Sequence, residues 1–175
     1  MSSEVLARLR ALLRAEGGLI ATLLDGSGTG HASGQPRSPA AVAAAGPRAA
    51  GQRSEYELLV EAIYEGYLLH YGRPRLVRAE EADLRLLAGD RLYAIGLARL
   101  VALGDTLAVA ELADTISLSS LAHGAGAQNL AEAVWEAGGR AVGWGPSERH
   151  ERAKQLVLEG DPGALEAMRT SAQES

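Results

Sequence analysis

The chain has 175 residues and a formal net charge of −5, one domain by length and long enough to bury a real core. Its 47% hydrophobic content is dominated by Ala and Leu, with no Phe and only 4% aromatics, so helix formers outweigh strand formers and an all-α protein is predicted. No two Lys or Arg residues are adjacent and there is no cysteine, which argues against a concentrated basic surface for nucleic acid and excludes disulfides and thiolate metal sites.

The opening "MSSEVLARLRALLRAEGG" places Glu4 and several arginines among its leucines and lacks the apolar core and cleavage site of a signal peptide. Residues 2–24 read as helical: Ser2 or Ser3 can cap the start, Val5, Leu6, Leu9, Leu12 and Leu13 recur at helical intervals, and Gly17-Gly18 breaks the run in two. Residues 25–53 are rich in Gly, Ser, Pro and Ala with almost no large apolar side chain, so a flexible linker is expected. "GSGTGH" within it lacks the preceding strand and the Lys-Ser/Thr that a phosphate loop requires.

From Ser54 the pattern tightens. Ser54 with Glu57 three places on forms a capping box, and "SEYELLVEAIYEGYLLHYG" reads as a helix stopped by Gly72 and Pro74. Residues 82–103 read as a long helix, apolar on most faces and therefore expected at the centre of the fold, with Gly89 and Gly96 on one face for close approach of a neighbour. Gly104 ends it, and Asp105 or Thr106 caps the next helix, which runs to His123. A helix from about Ala127 to Ala137 closed by Gly138-Gly139, another capped by Ser147, and a last one begun by Asp161-Pro162 complete the series. The boundaries expected are an N-terminal helix (1–24), a linker (25–53), a bundle of about six helices (54–170) and a frayed tail (171–175).

Few constellations suggest chemistry. Tyr56, Tyr64, Tyr67 and Tyr71 place hydroxyls near an apolar surface, as core tyrosines or as the lining of a pocket. Arg73, Arg75 and Arg78 form the densest basic cluster, in a loop, while Glu80, Glu81 and Asp83 suit the positive end of the helix that follows. Asp90 falls within a helix expected to be central, where a charge needs a partner: it either pairs with an arginine or lines a polar pocket. His31, His70, His123 and His150 are scattered at solvated or helix-end positions, without a His-x-x-x-His pair, and no Gly-x-Ser-x-Gly elbow accompanies them.

"LLAGDRLYAIGLARL" resembles a helix of the trans-isoprenyl diphosphate synthases, and "EAIYEGYLLHYG" is similar to the non-catalytic first component of the two-component heptaprenyl diphosphate synthases. The resemblance covers about residues 56–123 and implies a shortened isoprenoid-synthase-like core. Those enzymes bind diphosphate through magnesium held by two Asp-Asp-x-x-Asp motifs. This chain has no Asp-Asp pair, and of the row that would fall on Ala113, Ser117 and Leu121 only the serine matches.

The resemblance therefore implies a catalytically silent subunit, with no catalytic residue or metal ligand of its own and magnesium only where a partner supplies the aspartates. Tyr64, Tyr67, Tyr71, Asp90 and Tyr93 are then pocket or partner residues, and Arg73, Arg75 and Arg78 diphosphate contacts. The alternative is a self-associating helical scaffold. An enzyme in its own right would need Glu80, Asp83 and Asp90 to converge on magnesium. A protein partner or a homo-oligomer, no membrane span and a cytoplasmic location complete the expectations.

Overall fold

In the computed structural model, which describes residues 2–24 and 38–173, every regular element is a helix. In chain order these are α1 (Ser2–Glu16), α2 (Gly18–Thr22), α3 (Pro39–Ala45), a 3-10 turn (Pro47–Ala49), α4 (Arg53–Tyr71), α5 (Ala82–Ala102), α6 (Thr106–Gly124), α7 (Gln128–Trp144), α8 (Glu148–Glu159) and α9 (Ala164–Ala172). An antiparallel bridge joins Leu24 to Val77 and ties the α4–α5 loop to the chain after α2. Of the nine α-helices among the described residues, α1 and α2 are the two pieces expected on either side of Gly17-Gly18, and α3 arises inside the expected linker.

The linker expectation fails from Ser38 onward. The Ser38 hydroxyl accepts from the Ala41 amide at 3.2 Å and Pro39 occupies the first turn, so a helix starts with its cap in place. Large side chains are unnecessary because α3 lies between α4 and α7 at very short range. A Cβ on Gly139 would stand 2.6 Å from the Pro39 carbonyl oxygen, and one on Gly143 would stand 2.6 Å from that of Ala43. Alanines thus fill the space completely, with Ala40 and Ala43 at zero exposure. Residues 25–37 lie outside the described part of the chain.

The same contact explains why α7 does not stop at Ala137. Gly138 and Gly139 each cost about 1 kcal/mol of helix propensity, but Gly138 faces Thr115 of α6 and Gly139 faces α3. Both admit neighbours that a side chain would exclude, and α7 continues to Trp144.

The centre of the fold is α4, not α5. Eleven residues of α4 are buried, against six of the longer α5, whose Leu86, Leu87 and Val101 are exposed. Gly89 and Gly96 do serve close approach: the His70 ring covers Gly89, and Ile63 covers Gly96. Nor is α1 a separate piece, since Leu9 and Leu13 are fully buried with Leu58, Ala62 and Leu92. A second cluster joins α3, α4, α6 and α7 around Trp135, and a third joins α6 to α9 around Met168.

Smaller boundaries also shift. Helix α4 starts at Arg53 without a side-chain cap, so Ser54 is not its cap. Asp161 and Pro162 form a turn before α9, in which the Gly163 amide donates to Asp161 at 2.7 Å. Ser171 is 3% exposed, so the expected fraying does not begin there.

Candidate functional site

Of the tyrosines singled out in the sequence, Tyr64, Tyr67, Tyr71 and Tyr93 share one aromatic seam, whereas Tyr56 bonds to Asp105 instead. On α4, Tyr64 and Tyr67 stack at 5.6 Å between centroids, and both contact Trp135 of α7, at 5.1 and 4.9 Å. Tyr71 lies flat on His123, at 4.3 Å and 3° between planes, and Tyr93 stacks on His70 at 5.3 Å. The Tyr67 hydroxyl lies 2.9 Å from His123 Nε2. Spacing explains the seam: residues 60, 64, 67 and 71 share one helical stripe, and α5 and α6 bring Tyr93 and His123 alongside it. Burial pushes the Tyr64, Tyr67 and Tyr93 hydroxyls above their ordinary pKa, so they remain neutral at physiological pH. Tyr71 is 42% exposed and opens the seam to solvent, while the Trp135 indole N–H is buried without a partner among the described residues.

Asp90 does not behave as its helix position suggested. Because α5 is peripheral, the side chain is 69% exposed, 3.2 Å from His70 Nε2. Asp105 is the aspartate with structural consequence. It caps α6 by accepting from the Ala108 amide at 3.0 Å, receives Arg48 Nη2 on both oxygens at 2.7 and 2.9 Å, and accepts from the Tyr56 hydroxyl at 2.5 Å. Partial burial works against the charge, but the bonds from Tyr56, Ala108 and Arg48 prevail and hold the Asp105 carboxyl below the usual range. Arg48 also donates to the Val142 carbonyl at 3.2 Å. One carboxylate thereby joins the 3-10 turn, α4 and α6, and its arginine continues to α7.

The three loop arginines are not one cluster. Arg75 turns inward, 2.5 Å from Glu61 Oε1 and 3.0 Å from Glu65 Oε2. Both glutamates are buried, and Glu65 also accepts from the Arg75 and Leu76 amides at 2.6 and 2.7 Å. Ser38 donates to Glu61 at 3.2 Å, so the pair fastens the start of α3 as well as the loop. Burial raises the Glu61 pKa, aided by the neighbouring Glu65 charge and only partly offset by Arg75. Arg73 and Arg78 are exposed on the loop with Glu80 and Glu81, and Asp83 is exposed in the first turn of α5. No group of three or more His, Asp or Glu residues among the described residues is placed to hold a metal ion.

Two features escaped the sequence reading. His150 is neither solvated nor scattered: it is 5% exposed, with Nε2 3.2 Å from Glu111 and Nδ1 3.4 Å from Ser171. The Ser171 hydroxyl donates to the Met168 carbonyl at 2.9 Å, so its proton is committed to its own helix and the chain acts as a fastener between α6, α8 and α9. Lys154 reinforces it from 3.3 Å, and also reaches Asp114 at 2.8 Å and Glu151 at 2.7 Å. Against burial, the His150 bond and the Lys154 charge hold the Glu111 carboxyl below its ordinary pKa.

The second feature is a cleft of about 560 Å³ where α7 ends and α8 begins, lined by Arg140, Trp144, Ser147, Arg149, His150 and Ser171 among others. Nine of its ten lining residues fall within residues 137–150, from the end of α7 to the start of α8, and Ser171 joins them from α9. The only local signal was Pro146-Ser147, which marks a helix start and nothing more. Compared with protein families, curated proteins and solved structures, the chain matches none.

Proposed function

We propose that the chain is a non-catalytic helical subunit that works through a partner of the trans-isoprenyl diphosphate synthase type, the partner supplying the aspartates and magnesium. The supporting observation is the distribution of exposed apolar side chains. Of the ten large hydrophobic residues exposed among the described ones, six lie on α5, α6 or the turn between them: Leu86, Leu87, Val101, Leu103, Leu107 and Leu121. A concentration of this kind marks a protein contact rather than a random surface. The contact belongs to α5 and α6, since most of α4 is occupied inside the fold.

Co-expression with a synthase bearing Asp-Asp-x-x-Asp tests this reading. A stable complex is expected, disrupted by the double substitution Leu87→Glu, Val101→Glu without loss of the subunit's own thermal transition. Turnover of allylic and isopentenyl diphosphates with magnesium by the isolated chain would sink the proposal.

One observation favours self-association as a second reading. Leu87, Ala94 and Val101 are all exposed and recur every seven residues along α5. A second copy laid antiparallel across Ala94 would set each Leu87 against the other's Val101, as a two-fold contact requires. Sedimentation of the chain alone separates the two: a dimer abolished by the same double substitution supports this reading, and a monomer at all concentrations eliminates it.

A further inference from the structure

The aromatic seam has a chemistry that the partner reading does not use. Five of the chain's seven Tyr and Trp side chains lie in it, and the chain has no Phe. A buried apolar layer needs neither phenols nor indoles, whereas in a chain without cysteine these are the side chains that most readily give up one electron. Their rings form a continuous path. From exposed Tyr71, the stack on His123 at 4.3 Å leads to Tyr67 at 5.6 Å, and Tyr67 reaches Trp135 at 4.9 Å. Tyr71 and Tyr67 are also direct neighbours, at 5.7 Å between centroids. Electron transfer weakens steeply with distance, so rings in contact exchange an electron far faster than isolated ones.

What sets Tyr67 apart is the route for its proton. Its hydroxyl lies 2.9 Å from His123 Nε2, within the reach that proton transfer requires, and a neutral imidazole is a ready acceptor. Burial keeps the phenol protonated until it is oxidised, and oxidation makes it strongly acidic. Trp135 is the converse. Its indole N–H is buried with no partner among the described residues, so an oxidised indole there has no acceptor for its proton and takes an electron back from Tyr67.

We propose that the seam is a one-electron relay that ends on Tyr67. An electron leaves Tyr67 by way of Tyr71 to a one-electron oxidant of the oxyl- or peroxyl-radical class at the surface. The phenolic proton passes to the unprotonated Nε2 of His123. The products are a neutral Tyr67 radical, a protonated imidazole and the reduced oxidant. A thiolate then returns one electron, leaving as a thiyl radical, and the proton goes back from His123 to the Tyr67 oxygen. The relay uses none of the exposed apolar residues of α5 and α6, so it survives the failure of the partner proposal.

The test uses the full chain carrying Trp144→Phe, because Trp144 is 38% exposed and would compete for the oxidant. A flash-generated ruthenium(III) polypyridyl complex serves as the oxidant, and transient absorption and high-field electron paramagnetic resonance identify the radical. A neutral tyrosyl radical that accepts a hydrogen bond is expected. Tyr67→Phe and His123→Phe both keep a ring in place, so the fold is retained, as a single thermal transition close to the parent's verifies. Tyr67→Phe loses this radical. His123→Phe slows its formation about a hundredfold, the scale of losing a positioned base, and makes the rate depend on the concentration of buffer base. Tyr56→Phe, whose phenol bonds to Asp105, leaves the signal unchanged. The same radical in Tyr67→Phe, a rate unaltered by His123→Phe, a radical resting on Trp135, or loss of the signal in Tyr56→Phe would each overturn the proposal.

Discussion

Asp105 and Asp90 both follow a glycine, yet their partners could hardly differ. The Asp105 carboxylate receives bonds from a guanidinium, a phenol and a backbone amide, so Asp105→Ala strands three donors and is expected to cost about 3 kcal/mol in denaturant unfolding. Asp90→Ala, at a largely exposed position, should cost less than about 1 kcal/mol. The pH dependence carries a sign. Asp105 and Glu111 titrate below their ordinary values when folded, so their contribution is complete above the unfolded carboxyl pKa of about 4. It is lost as pH falls through the lower folded values. Asp105→Asn should therefore flatten the acid limb of a stability–pH curve, and an unchanged limb would refute the assignment.

The Arg75 pair behaves oppositely. Arg75→Ala leaves two buried carboxylates without their cation and is expected to cost about 3–5 kcal/mol, while Glu61→Gln, which removes a charge that burial already disfavours, should cost less than about 1 kcal/mol. Equal costs in urea unfolding would contradict this.

At the scale of elements, α7 shows how tertiary contact overrides local preference. Gly139→Ala raises intrinsic helix propensity, yet its methyl group would meet the backbone of α3 at 2.6 Å, so a net loss of about 1–3 kcal/mol is expected. Gly124→Ala, with open space around it, should be neutral or stabilising by up to about 1 kcal/mol. Thermal melts of the two variants moving in opposite directions would establish the close approach. The legible elements were those with a strong local signal: α5 ended by Gly104, α6 capped by Asp105, α8 capped by Ser147. Helix α3 and the second half of α7 were illegible because alanine and glycine look alike as loop or as tight helix contact until the neighbour is known. The seam was half legible, since the tyrosine stripe shows in the sequence but Trp135 and His123 join it through the fold. The cleft was illegible because its lining residues, nearly all within 137–150, enclose a space only once α7, α8 and α9 pack together.

At the scale of the whole molecule, no helix among the described residues is long and apolar enough to cross a membrane, and α1 belongs to the same core as α4 and α5. Leu13→Ala, at a fully buried site, should therefore lower the midpoint of one cooperative transition, at about 2–5 kcal/mol. An early separate phase in far-ultraviolet circular dichroism would instead make α1 an independent unit.

The alanine wedge of α3 carries a further consequence, for the order of events during synthesis. One of its faces meets α4, which follows directly, but the other awaits α7, and the Arg48–Val142 bond that fastens this region spans 94 positions. Contacts so distant close late, because the intervening chain loses its freedom before they compensate. On a ribosome delivering the chain from its N-terminus, α4 and α5 can pair early, while α3 finds its second neighbour only once most of the protein has emerged.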